Sequence, residues 1–239
     1  YQDNFFVSWL DGRNTVGDEE ERGAMTVRAA VVAPDGEKLE EWELDSRVCD
    51  CCQTTAAITD DGPIVAYRDR SAEEIRDMSI VRYVNGSWTE PTVIHEDNWK
   101  IAGCPVNGPR LSAVGNHVAV GWFTAADGKP SVNVKFSEDG GASFGEIIKV
   151  SEGNTIGRVD VEMLDKNTAI VSWMEGADIK AALLNIQGDI IATHTIASTS
   201  ASRSSGFPQM TKAGDQIIFA WTNPDEQEIR TTMLILGDY

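Results

Sequence analysis

Residues Pro109 to Val150 read PRLSAV, GNH, VAVGWF, TAADGKP, SVNVKFS, EDGGAS and FGEIIKV. PRLSAV, VAVGWF, SVNVKFS and FGEIIKV alternate apolar with small or polar residues and are rich in Val, Ile and Phe. GNH, TAADGKP and EDGGAS between them are built from Gly, Asp, Asn, Ser and Pro. Alternation of period two with β-branched enrichment is the pattern of a half-buried strand, and Gly/Asn/Asp punctuation is that of tight turns. The stretch therefore predicts four short antiparallel strands in series, with Trp122 near the end of the second.

That aromatic recurs along the whole chain. FFVSWLDG carries it at Trp9, IVAYRDR at Tyr67, VAVGWFTAADG at Trp122, AIVSWMEG at Trp173 and IIFAWTNP at Trp221, at spacings of 58, 55, 51 and 48 residues. A fixed aromatic in a unit of about 50 residues is the signature of a bladed array rather than a stacked sandwich, and the aromatic is expected to pack between neighbouring blades. No stretch shows a sustained helical period. The chain is predicted to be all-β, a single β-propeller domain over 1–239 of four-stranded antiparallel blades. Its units run over roughly 1–48, 53–98, 108–152, 157–197 and 207–239. The first unit begins at its second strand and the fifth stops after its third, so a longer chain is expected.

The formal net charge is −18, from 38 acidic and 20 basic residues. A field of that sign repels phosphate backbones and anionic lipid, so no nucleic-acid partner is expected. No apolar run approaches the roughly 20 residues of a membrane-spanning helix. Tyr1 brings neither an initiator Met nor a signal peptide, and no membrane span is predicted.

Ser137-Glu138-Asp139-Gly140-Gly141-Ala142-Ser143-Phe144 matches the Asp-box, Ser-x-Asp-x-Gly-x-Ser/Thr-Trp/Phe, with weaker relatives at Asn85-Gly86-Ser87-Trp88, Pro34-Asp35-Gly36 and Gln187-Gly188-Asp189. On these motifs the chain resembles the sialidase-like (BNR, Asp-box repeat) β-propellers. YRDRSAEEIRD, the Cys-Asp-Cys-Cys run and Gly103-Cys104-Pro105-Val106-Asn107-Gly108-Pro109 are similar to a bacterial subgroup of them. The resemblance implies a complete ring of six blades, an extracytoplasmic location, and a glycan or small anionic ligand at the channel mouth. It also implies that the Asp-box is a fold element on the face opposite the site.

In a blade whose innermost strand lines the channel, the connections from the fourth strand to the next blade, and from the second strand to the third, share one face. That face should receive Asp11 to Arg22, the cysteine run, Arg68 to Glu74, His95 to Arg110, Arg158 with Asp160, Glu175, and Arg203 to Gln209. The resemblance implies three arginines for a substrate carboxylate, and Arg68, Arg70, Arg110, Arg158 and Arg203 are the candidates. Trp99 is a candidate sugar platform or a lid on the blade junction. The tyrosine nucleophile that sialidase chemistry requires has no placed counterpart: Tyr67 holds the blade-packing position, Tyr83 lies late in a third strand, and Tyr1 and Tyr239 are terminal. A different glycosidase could use paired carboxylates, with Asp160 or Glu162 opposite Asp69 or Glu73. The competing reading pairs these acids with Arg158, Arg68 and Arg70 as structural ions.

Cys49, Cys51 and Cys52 have Cys104 as their only outside partner, so a complete disulfide pairing requires one bond inside the cluster. The alternative is a thiolate metal or redox site in which soft ligands favour copper(I) or zinc and His95 could join. A third reading of the whole chain is a non-catalytic scaffold whose acidic face binds another protein.

Overall fold

The computed structural model describes residues 1–18 and 22–238; Glu19, Glu20 and Glu21 of the Asp11–Arg22 loop, and Tyr239, lie outside the described residues. Among the described residues, nineteen strands form five antiparallel sheets in sequence order. The first holds β1 (Phe5–Asp11), β2 (Thr26–Val32) and β3 (Lys38–Asp45). The second holds β4 (Thr55–Ile58), β5 (Pro63–Arg68), β6 (Met78–Val84), β7 (Ser87–Trp88) and β8 (Thr92–His95). The third holds β9 (Arg110–Val114), β10 (His117–Thr124), β11 (Ser131–Ser137) and β12 (Ile148–Lys149). The fourth holds β13 (Thr155–Met163), β14 (Thr168–Glu175), β15 (Asp178–Asn185) and β16 (Ile190–Ser198). The fifth holds β17 (Gln209–Ala213), β18 (Gln216–Asn223) and β19 (Glu228–Ile235).

Consecutive strands pair as hairpin neighbours, as the turn chemistry requires, except in the second sheet, where β8 pairs with β6 rather than with β7. Between β6 and β7, Asn85 and Gly86 both hold positive φ, at 53° and 84°, which is the backbone of a type I′ hairpin and the reason for Asn-Gly there. The outer strand of the third sheet is shorter than FGEIIKV suggests. The regular ladder with β11 runs over Ile148 and Lys149, with single amide bonds from Gly145 to Phe136 and from Val150 to Val132 on either side; an outer strand has a partner on one side alone, so its ends gain little from the ladder.

The core lies between sheets rather than within one. Val27, Ala29 and Leu44 meet Val65, Tyr67 and Val81; Ile64, Ala66 and Met78 meet Leu111, Val120 and Trp122; Ala119, Phe123 and Val134 meet Val159, Val161 and Trp173; Ile170 and Met174 meet Met210, Phe219 and Trp221. The recurring aromatic thus fills the junction with the preceding blade. Its polar handle is also met: Trp9 Nε1 donates to Asp11 at 2.8 Å, Trp122 Nε1 to Asp97 at 2.7 Å, Trp173 Nε1 to Glu175 at 2.7 Å, and the Tyr67 hydroxyl to Asp45 at 2.7 Å. A buried indole N–H left unpaired would cost about 1–3 kcal/mol, so the carboxylate fixes the ring as firmly as packing does.

The Ser137–Phe144 turn is closed by its own side chains. Asp139 accepts from the Ser137 and Ser143 hydroxyls at 2.8 and 2.6 Å and from the Ser143 amide at 2.9 Å, while the Ser137 hydroxyl accepts from the Gly141 amide at 2.8 Å. On the sheets at either end of the series, Phe5 and Val7 of β1 and Ile229, Met233 and Ile235 of β19 are exposed. No helix is long and apolar enough to cross a membrane among the described residues.

Candidate functional site

The connections between blades gather on one face, and two clefts open there. One, of about 310 Å³, is lined by Pro105, Val106, Asn107, Ile156, Arg158, Ala201, Arg203 and Phe207. The other, of about 350 Å³, is lined by Asp50, Arg70, Glu74, Arg76, Ala102, Gly103 and Cys104. Both draw on the Ala102–Asn107 segment, which joins the second and third sheets.

Asn107 is the hub of the first cleft. Its side-chain oxygen accepts from the Arg158 amide at 2.8 Å, and its Nδ2 donates to the carbonyls of Pro105 and Ile156 at 3.1 and 3.3 Å. Its own carbonyl accepts from Arg68 Nε at 2.9 Å and Nη2 at 2.8 Å. Gly157 makes this approach feasible: with φ at +80°, a Cβ there would stand 2.4 Å from Asn107 Oδ1 and 2.8 Å from Phe123. A bulge follows in β13, between Gly157 and Asp160. Val106 and Arg158 both hold left-handed backbone, at φ 49° and 59°. For a β-branched residue such as Val106 this is an outlier that persists only where surroundings enforce it.

The candidate arginines have separate fates. Arg68 is 1 % exposed, and its guanidinium donates to the carbonyls of Asn107, Arg76 at 2.6 Å and Phe123 at 2.7 Å. Burial pulls its pKa down, and its donors are spent inside the protein, so it cannot meet a ligand. Arg158 donates to the Ser205 hydroxyl and to the Ser202 carbonyl at 2.7 Å, and lies over the Phe207 ring at 5.9 Å. Arg110 reaches Gln209 at 3.0 Å and stands 3.9 Å from Asp160. Arg70 is forked onto Glu74 at 2.7 Å. Arg203, in a 3-10 turn at Arg203–Ser205, is exposed on the cleft rim. Trp99 is no open platform: it is 8 % exposed, edge-on to Phe123 at 5.7 Å and beneath the Arg68 guanidinium at 4.9 Å.

Three of the four candidate acids are engaged by hydrogen bonds of their own surroundings. Asp160 accepts from the amides of Val161 at 3.0 Å and Met210 at 2.8 Å, tying β13 to β17. Asp69 accepts from the Arg70 amide at 2.6 Å and the Ser79 hydroxyl at 3.3 Å. Burial raises the pKa of both, but the charges around Asp69 are Asp45 and Asp77, whereas Asp160 senses Arg110. Glu162 is raised by burial and by Asp160. Glu73 is exposed and bonded to Ser71 at 3.1 Å. Tyr67 is fully buried, with its pKa raised by that burial, and Tyr83 lies among Tyr1, Trp42 and Trp88.

The cysteines border the second cleft. Cys51 and Cys104 form a disulfide, leaving Cys49 and Cys52 as buried thiols. The Sγ atoms of Cys49, Cys51 and Cys52 lie 3.6 to 4.0 Å apart. The hydrogen bond between the Cys49 and Cys52 sulfurs lowers the Cys49 pKa to about 6 against the effect of burial, with the Cys51 amide and Arg76 adding to it. The same contact and burial raise Cys52. His95 does not join: it stands 3.9 Å from Asp97, beside the Trp122 ring.

No protein-family model matches this chain, and no curated protein does. Solved structures do match. AofleA from Arthrobotrys oligospora superposes with a TM-score of 0.57 at 12 % identity, over 98 % of this chain and 69 % of that one. The polysaccharide lyase Uly1 gives 0.54 at 9 %, over 98 % and 56 %, and the NanB sialidase of Streptococcus pneumoniae 0.51 at 12 %, over 90 % and 36 %. The fold is that of a sialidase-like β-propeller. At such identity the likeness extends to fold alone, and the chain spans about half of a matched microbial sialidase, 52 %, and about a third of NanB, 36 %.

The connections singled out in the sequence line these two clefts, but three residues within them were not picked out. Asn107 sits between Val106 and Gly108 in a segment bounded by prolines, a signal of special backbone. Phe207, before Pro208, is the half-buried aromatic of the first cleft. Arg76 follows Ile75 in YRDRSAEEIRD with nothing local to set it apart from Arg70.

Proposed function

We propose that this propeller binds a carbohydrate or other small anionic ligand in the cleft between Pro105–Asn107, Arg158 and Ala201–Phe207. The observation that carries it is the convergence of two left-handed non-glycine residues, Val106 and Arg158, on the same cleft as the Phe207 ring and the exposed Arg203. Strain of this kind costs about 1–3 kcal/mol per residue and collects where ligands are held. Phe207 offers an apolar face and Arg203 an uncommitted cation, the two elements that orient an anionic sugar. Two similar structures, a sialidase and a polysaccharide lyase, agree with a carbohydrate setting.

Binding without hydrolysis is the better-supported form. Asp69 and Asp160 spend their carboxylate oxygens on amides and a hydroxyl of the fold, and neither internal tyrosine reaches the cleft. In this reading the complete ring has six blades and works outside the cytoplasm, as the resemblance implies; the exposed apolar residues of β1 and β19 suit cover by a further blade.

A glycan array followed by calorimetry on the full chain tests the proposal. R203A and F207A should each weaken binding by about tenfold while leaving the melting temperature within about 2 °C, since neither holds the core. Variants that bind like the parent would remove the cleft from the reading. Turnover in a glycosidase panel would overturn its non-hydrolytic form.

A further inference from the structure

We infer that Cys49, Cys51 and Cys52, completed by Cys104, form a thiolate site for a soft d10 cation, copper(I) or zinc(II), which the Cys51–Cys104 disulfide switches off. The site is separate from the proposed ligand cleft.

The first ground is the sulfur geometry. The Sγ separations are 3.7 Å for Cys49–Cys51, 3.6 Å for Cys49–Cys52 and 4.0 Å for Cys51–Cys52. Thiolates bound at about 2.3 Å stand about 3.8 Å apart around a tetrahedral ion and about 4.0 Å apart around a trigonal one. The triangle present already has those edges. Cys104 brings a fourth sulfur from the next inter-blade connection, at the position of its bond to Cys51.

The second ground is the cationic wall. Arg76 is 4 % exposed yet lies 3.2 Å from Cys49 Sγ, and its Nε has no hydrogen-bond partner among the described residues. Its other contacts are Glu74 at 2.8 Å and Asp50 at 3.6 Å. The Arg68 charge acts on Cys52 from within the core. Two buried guanidiniums beside sulfur offset the excess negative charge that three or four thiolates retain around a mono- or divalent ion.

The third ground is access. Cys49 and Cys52 are buried, whereas Cys104 is exposed and lines the 350 Å³ cleft. An external dithiol can therefore reach the bridge. In that exchange the Cys51–Cys104 bond breaks, two electrons and two protons pass to the two sulfurs, and the reductant leaves as its own disulfide. Binding of the ion then releases the thiol protons to solvent. Reoxidation by an external disulfide, which takes up the two electrons and two protons and leaves as two thiols, withdraws two of the four ligands, so affinity follows the redox state of the surroundings.

The test uses the full chain, prepared without oxygen, with or without a phosphine reductant. Each sample is loaded with zinc(II) or copper(I) in separate arms, desalted, and measured for metal per chain. The reduced chain should retain about one equivalent in at least one arm, and the oxidised chain and a reduced C49S/C52S variant about tenfold less. In parallel, metal should slow alkylation of Cys49, Cys51 and Cys52 in the unaltered reduced chain by about tenfold, read by peptide mapping. That arm decides the question even if C49S/C52S does not fold. Equal retention by folded C49S/C52S would place the ion on the acidic surface, and unprotected cysteines would likewise overturn the site. A reduced chain that holds neither ion, and instead closes a Cys49–Cys52 disulfide on oxidation, would replace it with a dithiol redox centre.

Discussion

Replacing Asn107 by alanine tests whether one side chain ties the connection between the second and third sheets to β13. The substitution leaves the Arg158 amide without its acceptor and the Pro105 and Ile156 carbonyls without their donor, at a position only 8 % exposed. A buried group deprived of its partner costs about 1–3 kcal/mol. The Arg158 amide should bear that in full. The carbonyls belong to residues lining the cleft, have second lone pairs and can turn to water, so they add less. A total of about 2–4 kcal/mol follows, on the same scale as the largest losses recorded for single polar truncations. With an m-value near 3 kcal/mol per molar urea for a chain of this size, the midpoint should fall by about 1 M with the slope unchanged. The main-chain bonds from Arg68 to the Asn107 carbonyl survive in N107A, so the loss reports the side chain alone. N107D is the sharper companion: it keeps the acceptor for Arg158 but turns an oxygen toward two carbonyls, and it should be at least as unstable. A midpoint shift equivalent to less than about 0.5 kcal/mol, the range of an ordinary surface change, would refute the hub.

Three further outcomes follow from the same geometry. R68M should lower stability by about 2–4 kcal/mol in denaturant titration by stranding the carbonyls of Asn107, Arg76 and Phe123, whereas R203A should stay within about 0.5 kcal/mol. W99A should cost about 3–5 kcal/mol, because the ring packs on Phe123 and under Arg68 inside the core, and a change under about 1 kcal/mol would show the ring to be open to solvent instead. Burial raises the Asp160 pKa above its ordinary 3.8, so the folded state holds that proton more tightly than the unfolded chain. The group's contribution must then decline as pH climbs from the ordinary carboxylate range through the raised value. The stability of D160N relative to the parent should therefore improve over that interval in paired unfolding curves, and a gap independent of pH would contradict the assignment.

The strands, their meander order and the packing position of Trp122, Trp173 and Tyr67 were legible because each is a local property. Side chains alternate with the pleat, turns need Gly or Asn, and a repeated aromatic marks a repeated surface. The same logic placed the cysteines and most arginines on one face, since strand direction alone decides which connections share it. Short-range order also carried a limit. The fourth strand of the third sheet looked seven residues long, yet its regular ladder covers two with isolated amide bonds at Gly145 and Val150, because edge pairing depends on a neighbour that the local pattern does not see.

What sequence by itself determined, then, is the blade and the face. Tertiary structure decided which residues on that face remain free to act. Arg68 and Arg203 are the same residue type, yet one is sealed against three carbonyls and the other lies at a cleft rim. Cys49 and Cys104 are 55 residues apart in the chain, and only the approach of two blade connections brings their sulfurs into one cluster. Those outcomes rest on contacts between segments roughly one blade apart, where hydrogen-bond geometry and burial, not local propensity, set the partner of each polar group.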